Sequence, residues 1–224
     1  MPTSDALLSS AGPTGSAGEG GDYPAMLAHF AATSMRGQGW SGAVEAYHAV
    51  RAMPYFSGSD RTPLQALRTG RGACTARHII LRDLLRGLGV PAEVEMVECD
   101  FAAAVPAHPT MPKALRATCE TGGIRDVHCW VRAWNGDVSV VMDATWPDDL
   151  ARYGFAVNTG WDGDADTRPA AQGTVRGAPE DVLAGKEALL AELTEEEASA
   201  RRAFLAGLSE WLKDLPAGQE GGRQ

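Results

Sequence analysis

Cys74 is placed where a thiol could act as a nucleophile. It follows residues 70–73 (GRGA) and opens the segment CTARHIILRDLLRGLG, whose apolar residues recur at helical spacing. Backbone N–H groups at a helix N-terminus favour negative charge, so a cysteine there tends toward thiolate, and the same groups can stabilise an oxyanion. The competing interpretation is that Cys74 is a small buried apolar residue, which is how we interpret Cys129. Cys99 and Cys119 do not lie at the start of a predicted helix either.

A histidine and an aspartate are predicted to meet on a β-hairpin. The segments VHCWVRAW and DVSVVMDATW alternate like strands around Asn135-Gly136, a strong signal for a tight turn. With these two residues as the turn, His128 lies opposite Asp143, with Cβ atoms about 4.5–5.5 Å apart. A carboxylate that holds a histidine fixes its tautomer and stabilises the imidazolium, which suits a general base. The alternative is a His–Asp surface pair with little effect on stability.

The two faces of this hairpin differ in polarity. One face is wholly apolar and is predicted to be core. The other face carries His128 together with Trp130 and Trp134, and we expect it to be the less buried of the two. The residues of the apolar face are Val127, Cys129, Val131, Ala133, Val138, Val140, Met142 and Ala144.

His78 is a second candidate for the base. It lies four residues after Cys74 and therefore on the same face of the predicted helix. A side chain one turn further on points along the helix wall, and no carboxylate near it is evident. Packing or support of a loop is the favoured role for His78.

Helices and strands are predicted around these residues. Apolar spacing predicts two short N-terminal helices, a long helix after Cys74 and two C-terminal helices, while AEVEMVECDF alternates like a strand. A long connection with three prolines precedes the hairpin, and such a connection is often a lid or binding loop. The helices other than the one at Cys74 span 24–35, 41–52, 179–192 and 194–213, the connection spans 102–126, and 153–178 is predicted to be loop.

One catalytic domain with extensions is predicted. Residues 1–22 are rich in Gly, Ser, Ala and Pro and predict a flexible tail, followed by the domain at 23–178. Residues 179–216 form a helical extension, in which Thr194 and Glu197 predict a capping box. A disordered tail is predicted at 217–224.

The order of these motifs resembles the transglutaminase-like branch of the papain-type cysteine fold. GRGACTARHIILRDLLRGLGVPAEV resembles the nucleophile segment of that family, HCWVRAW its His-x-Trp-Val strand and MDATW its Asp-x-Thr-Trp strand end. VRAMPYFSGSDRTPLQAL is similar to the stretch before the cysteine in bacterial members. The resemblance covers residues 40–147. It implies an α+β fold in which N-terminal helices and the nucleophile helix pack on an antiparallel sheet.

By this resemblance, the three residues form a Cys-His-Asp catalytic triad. Cys74 attacks an amide, ester or thioester carbonyl, His128 takes and later returns the proton, and Asp143 orients His128. The thioester acyl-enzyme then passes its acyl group to an amine or to water. The expected substrate is a small molecule, a peptide or a carrier-bound acyl group, and the enzyme is an acyltransferase or a hydrolase. The alternative is a non-catalytic binding module with the same fold and a repurposed site.

Four further residues are predicted to bind the oxyanion or the substrate. Trp40 and Tyr55 are the candidates to complete the oxyanion hole, although both residue types more often belong to a core. Trp130 and Arg132 lie on the strand of His128. Arg132 stands where many family members carry an acidic residue, which favours an anionic substrate over a cationic one.

Composition limits the partners. The net charge is -9, and nucleic acid or an anionic membrane attracts a positive surface, so neither partner is predicted. No signal segment and no apolar stretch of about 18 residues occurs, which predicts a cytoplasmic protein. The sequence leaves a homodimer open.

No metal and no cofactor is predicted. The cysteines lack the spacing of a zinc site. Asp162, Asp164 and Asp166 resemble the start of a calcium loop, but Thr167 and Gly173 stand where such a loop needs Gly and Glu. We therefore expect a solvated turn there.

Overall fold

The computed structural model describes residues 22–216 and has an α+β fold. A single sheet contains four antiparallel strands, β1 (Ala92–Asp100), β2 (Arg125–Asn135), β3 (Val138–Met142) and β4 (Thr174–Gly177), in the order β3-β2-β1-β4. The helices of the described residues are α1 (Asp22–Ser34), α2 (Gly39–Arg51), α3 (Pro63–Thr69), α4 (Cys74–Gly87), α5 (Lys113–Thr121), a 3-10 helix (Asp148–Tyr153), α6 (Val182–Leu190) and α7 (Glu195–Lys213).

The predicted tails fall almost wholly outside this range. Residues 1–21 and 217–224 lie outside the described residues. Asp22, predicted as the last residue of the N-terminal tail, is the first residue of α1. No helix between residues 22 and 216 is long and apolar enough to cross a bilayer.

The long helix after Cys74 is confirmed as α4. Its apolar stripe is buried because α4 packs across β1 and β2, on the apolar face of the sheet. The predicted core face of the hairpin is buried in the same cluster, except at one end. Val138, at the tip of the hairpin, is 63% exposed, so its assignment to the core is wrong.

The hairpin is confirmed, but its predicted register is wrong by one residue pair. Asn135 pairs with Val138, so the two loop residues are Gly136 and Asp137 rather than Asn135 and Gly136. Gly136 has φ +62°, and a type II′ turn places glycine at its first loop position. A shift of two residues along one strand keeps every side chain on its face. His128 and Asp143 therefore remain on one side and meet diagonally instead of directly.

Four short elements were not predicted, one of which is the 3-10 helix at Asp148–Tyr153. The 102–126 connection contains α5, whose Leu115 and Cys119 are buried, so it is not a loop along its whole length. The 153–178 stretch contains β4, which pairs with β1 at the sheet edge. Residues before Cys74 form α3, which Thr62 caps by accepting a hydrogen bond from the Gln65 backbone.

The C-terminal helices pack on the sheet and its surroundings. The predicted capping box of Thr194 and Glu197 is present at the start of α7. The apolar side of α7 joins a second core cluster, and its Arg201 forms a buried ion pair with Asp126 of β2 at 2.5 Å. The α7 residues in the second cluster are Phe204, Leu205, Leu208 and Trp211.

Candidate active site

Cys74 is the first residue of α4, and the chain before it is held tightly. The backbone of Gly72 exchanges hydrogen bonds with Pro54 and Phe56. A Cβ on Gly72 would lie 2.9 Å from the Cβ of Ala66, so the approach of α3 requires glycine at this position. The first N–H groups of a helix have no partner within the helix. Cys74 thus lies where backbone donors can face a reacting carbonyl oxygen.

The thiol of Cys74 is buried and strongly acidified. Cys74 is 5% exposed. The neighbouring Cys129 thiol, as a hydrogen-bond donor, lowers the pKa of Cys74 most; burial opposes this, and the cations Lys186 and His128 lower it further. The net result is a pKa well below the ordinary thiol value, so the thiolate is favoured.

His128 has one nitrogen fixed and the other available. Its Nε2 lies 2.7 Å from Oδ2 of Asp143. Its Nδ1 is buried and has no hydrogen-bond partner within residues 22–216. The ring stacks on Phe101 at a centroid distance of 5.9 Å. His128 is 0% exposed, so the surface-pair alternative is wrong. The expectation that its face is the less buried of the two is confirmed, because Arg132 and Trp134 on that face are half-buried.

The electrostatic environment favours a charged His128. Burial lowers the pKa of His128. The charge of Asp143 and the hydrogen bond to Asp143 outweigh burial, and Cys74 acts in the same direction, so the pKa of His128 is raised to about 10. The opposite shifts at Cys74 and His128 favour a thiolate–imidazolium pair.

Asp143 directly follows β3 and is held by backbone donors as well as by His128. Its Oδ2 accepts a hydrogen bond from the Ala170 N–H at 2.7 Å, and its Oδ1 accepts one from the Thr145 N–H at 3.0 Å. Burial raises the pKa of Asp143, but the charge of His128, the hydrogen bond to His128 and the hydrogen bond from Thr145 lower it to about 2. The carboxylate is therefore ionised and fixed in orientation.

His78 is a structural residue rather than a second base. Its Nε2 accepts a hydrogen bond from the Ala144 N–H at 2.8 Å, so the ring proton must be on Nδ1, which donates to the Cys74 carbonyl oxygen at 2.8 Å. Burial lowers the pKa of His78 to about 4, and the ring is neutral. His78 ties the first turn of α4 to the chain beside Asp143, which fits the predicted role in packing.

Of the two oxyanion candidates, Tyr55 lies near the nucleophile. Its backbone forms a β-bridge with Gly72. Burial and then the nearby Cys74 charge raise the pKa of Tyr55 well above its ordinary value. Trp40 packs against Gly163 instead. A Cβ atom on Gly163 would lie only 2.6 Å from the indole nitrogen of Trp40.

The other two predicted binding residues are engaged with Glu95 of β1. Trp130 Nε1 donates a hydrogen bond to Glu95 Oε2 at 2.6 Å, and its ring lies 6.3 Å from that of His128. Arg132 forms a two-point ion pair with Glu95, through Nε at 2.7 Å and through a second nitrogen at 3.1 Å. The Arg132 charge is therefore balanced within the protein, which removes the reason to expect an anionic substrate.

Two cations of the site, Arg77 and Lys186, were not predicted from the sequence. Arg77, one turn after Cys74, is fully buried and donates hydrogen bonds to the carbonyl oxygens of Val50, Arg51 and Thr145. Lys186 of α6 lies against Cys74 and Thr75. Lys186 occupies the same helix face as the apolar residues four positions before and after it, and this pattern could have singled it out.

The acidic segment predicted to be a solvated turn is exposed. Asp166 accepts a hydrogen bond from the Val141 N–H at 2.8 Å, and Asp162 accepts one from the Asp164 N–H. Across residues 22–216, no group of three or more His, Cys, Asp or Glu residues is arranged to hold a metal ion.

Comparison with protein-family models and with curated proteins finds no significant match for this chain.

Proposed function

We propose that the protein is a transglutaminase-like cysteine enzyme that transfers or hydrolyses acyl groups through a thioester on Cys74. The resemblance of residues 40–147 supports the fold family, and the α+β architecture is compatible with it. The four free cysteines suit a reducing compartment, so we propose a cytoplasmic enzyme.

One observation supports this proposal more than any other. His128 has one ring nitrogen held by a buried carboxylate, and its other ring nitrogen is buried with no partner among residues 22–216, beside a thiol at a helix N-terminus. Buried polar groups are nearly always hydrogen-bonded, and an exception at a cluster of titratable groups is typical of a reactive site.

The proposed reaction begins with the thiolate–imidazolium pair. The Cys74 sulfur attacks the acyl carbonyl, and the developing oxyanion is stabilised by N–H groups at the start of α4 and by the Tyr55 hydroxyl. His128 donates its proton to the leaving group, which departs as the thioester forms. Neutral His128 then takes a proton from the incoming amine or water, whose attack releases the acyl group and restores the thiolate.

A small-molecule or carrier-bound acyl donor is the proposed substrate class. A cavity of about 200 Å³ reaches Gly72 and Ala73, the two residues before the nucleophile. Its other lining residues include Arg61 and Gln65, which supply hydrogen-bond donors. A cavity of this size holds a short group rather than a folded protein surface.

A binding module with a repurposed site is the second candidate. The 5% exposure of Cys74 favours it, because a substrate reaches this sulfur only if a covering side chain or helix moves. The two candidates differ in whether the sulfur forms a covalent bond with an acyl group.

The test is intact-protein mass spectrometry after incubation with a panel of acyl thioesters, esters and primary amides. We expect an adduct of acyl mass that Cys74→Ala cannot form and that Cys119→Ala, a matched loss of a distant buried thiol, still forms. Iodoacetamide labelling near pH 6.5 should also favour Cys74 over the other cysteines. No adduct with any donor, together with slow and equal labelling of all four cysteines, supports the binding module.

A further inference from the structure

Lys186 of α6 makes a contact with the nucleophile that the triad does not explain. Its Nζ lies 3.8 Å from the Cys74 sulfur and 2.8 Å from Oγ1 of Thr75. Lys186 is 7% exposed, whereas Lys113 and Lys213 are exposed. An ammonium group removed from water requires a nearby anion or a set of hydrogen bonds, since its desolvation is otherwise unfavourable.

The charged groups around Lys186 identify the sulfur as its counterion. The charge of Asp126 of β2 also acts on Lys186, but Asp126 is already paired with Arg201 of α7 at 2.5 Å. The Cys129 thiol, the other titratable group facing Lys186, is held in its neutral form because its pKa is raised well above the ordinary value by its hydrogen bond to Cys74. The thiolate of Cys74 therefore remains to balance the ammonium.

Helix α6 fixes the position of this ammonium. Val182 is buried in the main core, and Leu190 packs against the same core. Residues four apart lie on one helical face, so Lys186 is directed inward between Val182 and Leu190. The contact is thus set by the docking of the helix rather than by a freely moving surface side chain.

We propose that Lys186 is a further catalytic residue, whose ammonium stabilises negative charge on the Cys74 sulfur. This inference rests on the proposed function, because it concerns the same nucleophile. Before acylation the ammonium holds the sulfur ready for attack. During release of the acyl group the carbon–sulfur bond breaks, its electron pair returns to sulfur, and the ammonium stabilises the thiolate that forms. Lys186 remains protonated throughout.

The first test measures the rate of Cys74 alkylation by iodoacetamide as a function of pH, site by site, by peptide mass spectrometry. Lys186→Met and Lys186→Gln both remove the charge but differ in polarity. We expect each to move the midpoint of the profile upward by about one pH unit or more, which lowers the rate about tenfold below the midpoint. The plateau at high pH should be unchanged, because access to the sulfur is unchanged. Lys213→Met, on the surface, should leave the whole profile as in the wild type.

The second test measures how the Cys74 thiolate changes the titration of Lys186. The chain has three lysines, so ¹³C-lysine labelling gives three resolved ε-methylene signals for titration by NMR. Replacing the thiolate by a neutral hydroxyl in Cys74→Ser should shift the Lys186 titration to lower pH by about one unit or more, since coupling between two groups is reciprocal. Lys113 and Lys213 act as internal controls. This test does not depend on the folding of any Lys186 variant.

The outcomes separate this inference from the proposed function. If wild-type Cys74 labels with the pH profile of an ordinary thiol, the proposed function fails. If wild-type Cys74 is activated and the midpoint stays fixed in both Lys186 variants, the triad stands and the inference about Lys186 is overturned. A midpoint shift in Lys186→Gln alone, or an unshifted Lys186 titration in Cys74→Ser, also overturns it.

Discussion

Two fully buried histidines lie on either side of the Asp143 carboxylate, and their hydrogen bonds differ. His78 uses both ring nitrogens, one with the Cys74 carbonyl oxygen and one with the Ala144 N–H. His128 uses one nitrogen, on Asp143, and keeps the other without a partner within the described range. The two rings are 6.1 Å apart and nearly perpendicular.

This difference separates a structural role from a chemical one. A histidine whose two nitrogens are both satisfied by backbone groups holds two segments together and has no proton to exchange. A histidine with one fixed nitrogen keeps a defined tautomer and can still exchange a proton at the other nitrogen. Burial alone would not have distinguished the two, because both are inaccessible to solvent.

The largest expected effect is on reactivity, and of the two histidines only His128 should show it. In His128→Gln the amide can still donate to Asp143, so the fold keeps that hydrogen bond while the base is lost. We expect turnover to fall by about 10²–10⁴-fold. Cys74 alkylation at about pH 6.5 should fall by about 10²-fold, because an ordinary thiol has about 1% thiolate at this pH. The readout is the labelling rate of Cys74 relative to Cys119 in the same sample.

His78→Gln is the matched control for this change. A glutamine amide can donate to the Cys74 carbonyl oxygen and accept from the Ala144 N–H, as the neutral histidine does. We expect less than about a tenfold change in Cys74 labelling, within what local repacking produces. Equal losses in the two glutamine variants would remove the distinction between the histidines.

The second effect is the loss of stability when His78 is truncated. In His78→Ala two buried backbone groups lose their partner, and we expect the free energy of unfolding to fall by about 2–4 kcal/mol. Urea unfolding monitored by circular dichroism gives this value, and His78→Gln should recover part of it. If the free energy of unfolding of His78→Ala equals that of the wild type within experimental error, water or a shifted backbone replaces the hydrogen bonds of the ring.

The smallest effect concerns acid. The folded pKa of Asp143 is about 2, below its ordinary 3.8, so its contribution to stability is complete above pH 3.8 and is lost as the pH falls through about 2. The stability difference between wild type and Asp143→Asn should shrink by about 2 kcal/mol across this window. Urea titrations from about pH 5 downward measure it. A difference that stays constant with pH would show that Asp143 titrates normally.

The sequence predicts the long elements of this fold better than the short ones. Helix α4 carries a long apolar stripe, and α7 carries a capping box, so both are visible locally. Helices α3 and α5 have only seven and nine residues. Loop signals dominate before both, three prolines before α5 and the segment SGSD before α3. Strand β4 has four residues with little burial, and it forms by pairing with β1, a partner distant in the chain.

The site was predictable where local rules govern it. The hairpin brings His128 to Asp143 whichever of the two registers forms, because both registers keep the two side chains on one face. The tautomer of His78 was not predictable, since it depends on the Ala144 N–H of a strand end 66 residues away. The contact of Lys186 with Cys74 spans 112 residues and depends on how α6 docks.

The buried pair of Asp126 and Arg201 has a consequence for the nascent chain. Cys74, His128 and Asp143 leave the ribosome well before Lys186 and Arg201. Until α6 and α7 have emerged, Asp126 has no cation beside it and the sulfur lacks its ammonium neighbour. Synthesis of the segment from Lys186 to Arg201 therefore completes the charge balance of the centre, and a fragment that ends at residue 178 carries the triad without these two cations.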